Sequence, residues 1–100
     1  MSIAKLSPQA IAAALTQLDG WRLENDKLHR QFRFPDFVAA FGFMTQVALV
    51  AEQLGHHPEW SNVYNRLRIE LTTHDAGGIS QRDIDFASRV NTLCVNEDRS

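Results

Sequence analysis

The sequence predicts an α+β domain: a four-stranded antiparallel sheet with three helices packed on one face. Three observations predict it. Two stretches alternate apolar and polar residues with a period of two, and each is interrupted by short turn chemistry. Three other stretches place apolar residues at helical spacing. The order is α-β-β-α-β-β-α, so each hairpin is followed by a helix and neighbouring strands need no long crossover. The chain has 100 residues and reads as a single domain, residues 1–100, with one modest core.

Ser7-Pro8 reads as an N-cap and first helical residue. Ile11, Leu15 and Leu18 then form one apolar face, and Gly20 ends the helix. Trp21–Leu23 is a short strand, "ENDK" a turn, and Leu28 to Phe34 the second strand. In that strand Leu28, Phe32 and Phe34 share one face, interrupted by Arg30. His29, Gln31 and Arg33 share the polar face.

Pro35 stops the strand and Asp36 caps a second helix, roughly Phe37 to Leu54. Phe37, Val38, Phe41, Phe43, Met44, Val47, Leu49 and Val50 do not fit one stripe. A second buried face implies a subunit contact, with residues such as Phe43 or Val50 in it; the alternative is a central core helix. Gly55 ends this helix. Trp60–Val63 and Arg66–Thr72 follow as strands about a tight turn at Tyr64-Asn65. "DAGG" is a loop, and Ser80 and Asp83 make a capping-box-like pair before a third helix with Ile84, Ala87, Val90 and Leu93 inward. "NEDRS" reads as a polar, frayed tail.

Composition narrows the function. Apolar residues make up 44% and charged residues 22% of the chain, which is globular, not disordered. A formal charge of -2 argues against nucleic acid as a partner. Arg66 and Arg68, either side of Leu67, read as a solvated face. Cys94 is the one cysteine, so no internal disulfide forms, and it reads as a small core residue. The beginning "MSIAKLSPQA" lacks the apolar region of a signal peptide. The most apolar stretch, Phe37–Ala51, is too short for a membrane span. These features lead us to expect a cytoplasmic protein that does not engage a membrane.

The chemistry-bearing residues are histidines. His56 and His57 stand together in "GHHPEW", just past the second helix, and His74 follows a strand in "LTTH". Pro58 stiffens the pair and forces His57 out of helical geometry. Three readings compete. The histidines are polar loop residues, or metal ligands, or general acids and bases. A metal site is the weakest of these, because adjacent histidines in extended chain point apart, and no Cys or carboxylate lies at a familiar ligand spacing. Imidazoles titrate near neutrality, and several of them without a nucleophile suit proton shuffling such as dehydration. Ser61 lacks a nucleophile-elbow context, Ser80 reads as a cap, and no phosphate-binding Gly loop is present.

"AEQLGHHPEWSNVYN", then "LTTH", then "GGISQRDIDFA", in this order and spacing, resemble the pterin-4a-carbinolamine dehydratases. The resemblance runs from about Gly20 to the end of the third helix, and the family shares the element order read above. It implies conversion of 4a-hydroxytetrahydrobiopterin to quinonoid dihydropterin and water, in tetrahydrobiopterin recycling, with no metal and no organic cofactor. It implies that His56, His57 and His74 are catalytic and line the pterin pocket. Pro58 is then a pocket wall, and Thr73 to Ala76, including Asp75, a second pterin-contacting stretch. On chemical grounds His56 and His74 are the acid–base pair and His57 orients the ring. Arg82 and Asp83 match the family's "RD", with an ion pair for Arg82 and a helix N-terminus for Asp83 as the simpler roles. Glu52 is placed to orient a histidine. The resemblance also implies a homodimer or homotetramer. Its alternative function is that of a protein-interaction module, acting as a dimerisation cofactor of a transcription factor.

Overall fold

The structure, a computed structural model, describes residues 3–97. Its elements are α1 (Pro8–Leu15), β1 (Arg22–Glu24), β2 (Lys27–Arg33), α2 (Phe37–Leu54), β3 (Glu59–Val63), β4 (Arg66–Leu71), a 3₁₀ turn (His74–Ala76) and α3 (Gln81–Glu97). The strands form one antiparallel sheet in the order β1-β2-β4-β3. The α+β architecture is therefore the one read from the sequence.

Turn chemistry sets the register. Glu24 pairs with Lys27 across a two-residue turn in which Asn25 and Asp26 have φ of 53° and 62°. Asn and Asp tolerate this left-handed region, and its twist matches that of the strands. In the second hairpin Val63 pairs with Arg66, and Tyr64 takes φ 53°. The Asn62 amide supports that turn by donating to the carbonyls of Tyr64 (3.0 Å) and Arg66 (2.8 Å).

Register then decides which face is covered. Leu28 pairs with Leu71, and Phe32 with Leu67, so these four side chains point to the same side with Ile69. All five are buried in one cluster with Ile11 of α1, Phe43, Val47 and Ala51 of α2, and Phe86, Ala87 and Val90 of α3. All three helices thus lie over this face. Arg30 sits on it too, because its guanidinium reaches the rim. It stacks over Phe32 at 4.5 Å and donates to Asn91 Oδ1 (2.6 Å) and the Asp19 carbonyl (3.0 Å).

Four expectations need correction. The first helix ends at Leu15, not near Gly20. Thr16 Oγ1 bonds back to the Ala13 carbonyl (2.6 Å), and the amides of Thr16, Gln17 and Leu18 turn to carbonyls three residues back. Phe43 and Val50 are 1% and 5% exposed and belong to the chain's own core, so they are not available for a subunit contact. The apolar residues left outside on α2 are Phe37, Val38, Phe41, Leu49 and Leu54, with Val38 78% exposed. The α2 helix has the expected bounds, but its 18 residues are long and apolar enough by composition to cross a membrane, unlike the shorter stretch Phe37–Ala51, although its inner face lies in the core. Finally, α3 continues through Glu97, so Asn96 and Glu97 are helical. The rest of the "NEDRS" segment lies outside the described residues.

The uncovered face is polar, as alternation requires, but not uniformly solvated. His29 is only 2% exposed there, and its Nδ1 lies 2.9 Å from Glu70 Oε2 and 3.7 Å from Glu24 Oε1. Arg68 binds the other Glu70 oxygen at 2.6 Å. The hydrogen bond from His29, then the charge of Arg68, hold the Glu70 carboxyl below its ordinary value of 4.5. Between the lowered pKa and about 4.5 the unfolded chain binds the proton and the native chain does not. Stability contributed by Glu70 is therefore present above that window and lost as pH falls through it. Urea titrations from neutral pH down to acid should show the Glu70→Gln variant losing stability less steeply than the parent in this range.

Candidate active site

The segments bearing His56, His57 and His74 meet at one end of the sheet. Gly55, at φ 62°, closes α2, with the His56 amide bonding back to the Ala51 carbonyl at 3.1 Å. His56 and His57 therefore leave the helix in a fixed direction toward β3. After β4, Thr73 and Gly78 exchange two backbone hydrogen bonds (3.0 and 3.2 Å) around the His74–Ala76 turn. Gly77, at φ 76°, lets the chain double back there. The expected "DAGG" loop is thus a closed 3₁₀ turn that presents His74. The start of α3 supplies the third wall.

One buried network ties these segments together. The Asp83 carboxylate is fully buried. Its Oδ2 accepts from the Ser80 amide (2.9 Å) and from Thr73 Oγ1 (2.8 Å), and its Oδ1 lies 2.5 Å from His56 Nε2. Thr73 Oγ1 is also 2.6 Å from Ser80 Oγ, and Ser80 Oγ accepts from the Arg82 amide at 3.2 Å. Only one direction satisfies every member. Thr73 spends its proton on Asp83, so Ser80 must donate to Thr73 and accept from Arg82. The carboxylate is then acceptor-only, and His56 Nε2 must carry a proton. Neutral His56 is left with a lone pair on Nδ1, the nitrogen free to meet a ligand.

The other two histidines are open to solvent. His57, 65% exposed, is 2.6 Å from Glu52 Oε2. His74, 84% exposed, has Nε2 3.5 Å from Glu59 Oε2, and the other Glu59 oxygen binds Lys27 Nζ at 2.5 Å. That hydrogen bond raises the Lys27 pKa above its ordinary value. Each exposed imidazole thus has a carboxylate beside it, while the buried one has a carboxylate locked in place.

A cleft of about 280 Å³ is lined by His56, His57, Thr73, His74 and Asp75, together with Gly55, Thr72 and Arg82. The structure thus brings all three histidines to one cavity. Pro58 and Ala76, expected at its wall, are not among the described residues that line it. The Asp83–His56 contact was beyond sequence reading. Asp83 was legible as a cap, and it does cap α3, but its second oxygen reaches a residue 27 positions away. Among the described residues Arg82 makes no ion pair; it lines the cleft instead. A larger concavity, about 640 Å³, lies on the uncovered sheet face and contains neither histidine nor carboxylate, so acid–base chemistry belongs to the smaller cleft.

One group of potential metal ligands occurs among the described residues, Glu24, His29 and Glu70, none of which lines the cleft. Its charges are already balanced, although His29 Nε2 is buried without a hydrogen-bond partner among the described residues. Arg22 and Arg68 neutralise the two carboxylates, and His29 Nδ1 is within hydrogen-bond distance of Glu70.

The network makes a measurable statement about His56. Nitrogen-15 NMR should find its ring protonated on Nε2 when neutral. Asp83→Asn, which puts an amide group where acceptors are required, should loosen this preference and cost about 1–3 kcal/mol in urea unfolding.

Comparison with known proteins identifies the family and fold. The family model described as pterin 4 alpha carbinolamine dehydratase matches residues 4–93. A protein of Solibacter usitatus, provisionally named a pterin-4-alpha-carbinolamine dehydratase, is 55% identical over 91 residues, covering 91% of this chain and 96% of its own. A Prochlorococcus marinus protein with the same provisional name is 50% identical over 93 residues, 93% of this chain and 97% of its own. The crystal structure of a transcriptional coactivator/pterin dehydratase from Brucella melitensis superposes with a TM-score of 0.86 at 44% identity, over 89% of this chain and 97% of that one. A pterin dehydratase-like protein identified as a RuBisCO assembly factor in the alpha-carboxysome gives 0.64 at 26% identity, over 74% and 88%. Fold, motif spacing and relatives converge: the chain belongs to the pterin 4 alpha carbinolamine dehydratase family.

Proposed function

We propose that the protein dehydrates 4a-hydroxytetrahydrobiopterin to quinonoid dihydropterin by histidine general acid–base catalysis, and so serves tetrahydrobiopterin recycling. The observation that carries this reading is the Asp83–Thr73–Ser80 network, which leaves His56 Nδ1 as an oriented proton acceptor in the same cleft as His74. His74, as imidazolium, donates to the 4a-hydroxyl as the carbon–oxygen bond breaks, releasing water. His56 Nδ1 takes the ring-nitrogen proton, and that N–H electron pair forms the new double bond. His57 orients the ring, and Glu59 and Glu52 hold the two exposed imidazoles. The cleft lies at the small end of ligand-site volumes, which suits a flat bicyclic ring. No metal or organic cofactor enters this scheme.

His56→Ala and His74→Ala should each lower kcat by a factor on the order of 10² to 10⁴. The double variant should lose much less than the product, because groups acting as a unit are not additive. The rate of 4a-hydroxytetrahydropterin loss, followed by absorbance, measures this, with circular dichroism on each variant. Gln17→Ala, exposed in the turn that follows α1, is the unaffected control. His29, whose strand position marks it as an inert control by sequence, is unsuitable because it is buried against Glu70. Near-wild-type turnover in both histidine variants refutes the mechanism.

The reading extends to assembly and location. The uncovered apolar row on α2 supports a homodimer or homotetramer, and the single cysteine supports a cytoplasmic protein. Sedimentation of Val38→Glu/Leu49→Glu should show smaller particles than the parent at equal concentration. The same exposed row, with the coactivator in the Brucella melitensis structure's description, favours a second reading, a protein-interaction module. Unassisted dehydration by the purified chain separates the two.

A further inference from the structure

We propose that the uncovered face of the sheet carries a second binding site, for a compact phosphate group, formed by Arg33, Arg66 and Arg68. The proposal is independent of the histidine cleft and of the reaction assigned to it.

The register creates the site. Arg33 of β2 and Arg66 of β4 are direct partners across the ladder and share the uncovered face. Side chains so paired have Cβ atoms about 4.5–5.5 Å apart, and like charges there are destabilising. Every other cationic side chain on this face has a carboxylate: Arg22 with Glu24, Lys27 with Glu59, Arg68 with Glu70. Among the described residues Arg33 and Arg66 have none. Two adjacent uncompensated guanidiniums in a concave surface are an arrangement that a dianion relieves.

The surroundings favour binding over mere solvation. Arg33, Arg66 and Arg68 line the concavity of about 640 Å³, the larger of the two cavities described above. Ser61 and Gln31, opposite Arg68 on either flank, contribute a hydroxyl and an amide to the same wall. Arg68 is already held by Glu70 at 2.6 Å and by Ser61 Oγ at 3.2 Å, so little rotamer freedom remains to be lost. Guanidinium forks match phosphate oxygens in pairs.

Charge on the rest of the face limits the ligand's size. Glu24, Glu59 and Glu70 occupy its opposite end. A polyanion laid along the strands would meet these carboxylates, whereas a single phosphate, free or as an ester of a small molecule, would not. Volume agrees, since the concavity lies within the range of small-molecule sites.

The test uses the full chain at constant ionic strength. Inorganic phosphate and adenosine monophosphate are titrated separately while arginine Nε–Hε signals are followed by NMR. Saturable shifts centred on Arg33 and Arg66 are expected. Tighter binding of the monophosphate identifies an ester as the ligand; equal binding identifies bare phosphate. Arg33→Gln and Arg66→Gln should each weaken binding about tenfold or more. Both should leave the dehydration rate unchanged. Arg33→Gln should also melt no lower than the parent without phosphate, because it removes a like-charge pair, and should lose the phosphate-dependent rise in Tm. Equal shifts with chloride, or unchanged phosphate affinity in both variants, overturn the site. A single-stranded oligonucleotide that binds more tightly per chain than adenosine monophosphate overturns its restriction to a compact anion.

Discussion

The arrangement of this molecule turns on one buried carboxylate. Asp83 has no solvent exposure, and a buried charge is tolerated only when hydrogen-bonded on all sides. Its partners come from three places in the chain. The Ser80 amide belongs to the start of α3, Thr73 to the end of β4, and His56 to the exit of α2. The cost of burying the charge is offset by making one group serve as helix cap, loop tie and histidine anchor. Its removal would free three segments together, which is why the site's geometry and the local fold stand or fall as one unit.

That arrangement explains why the chemistry gathers at this end of the sheet. The core below it is apolar and continuous, from Leu71 of β4 through Ile79 to Phe86 of α3. The His56 ring lies edge-on to Phe86, at 6.2 Å between centroids, so its position is set by packing as well as by Asp83. His57 and His74 have no such constraint and remain in water beside Glu52 and Glu59. One imidazole is pre-organised, and two are left to be ordered by what enters the cleft. A site of this kind spends its rigidity on the group that must have a defined tautomer.

Much of this was legible in the sequence. Period-two alternation gave the strands, "ND" in the first hairpin and "YN" in the second gave the turns, and caps at Ser7, Asp36 and Ser80/Asp83 gave the helix starts. These are local signals. The histidines were legible as a group because adjacency and motif order are also local. The misreadings concern contacts between distant segments. The inner face of α2 could not be separated from the outer, since both are apolar and only the sheet beneath decides that Phe43 turns in and Val38 out. His29 looked like an exposed residue because strand parity gives the face but not the depth. Its burial comes from Glu70 of β4 and the β1 hairpin arm closing over it. Alternation likewise put Arg33, Arg66 and Arg68 on polar faces of two separate strands, and only the β2–β4 register sets Arg33 beside Arg66.

The two faces of the sheet therefore follow different rules. On the covered face Leu28, Phe32, Leu67, Ile69 and Leu71 are interchangeable in kind, and their burial is driven by area removed from water. On the uncovered face charged residues are instead held by ion pairs along a strand, as Arg22–Glu24 and Arg68–Glu70, or between strands, as His29–Glu70 and Lys27–Glu59. There the Glu24, His29 and Glu70 cluster is compensated, whereas the Arg33–Arg66 pair is not. A fold needs only the first face to be stable. Uncompensated charge on the second has no role in holding the sheet together, and repulsion between its members opposes it. Like-charged partners at the end of the β2–β4 ladder, beside a concave surface, are the kind of local conflict that marks a functional position rather than a packing one.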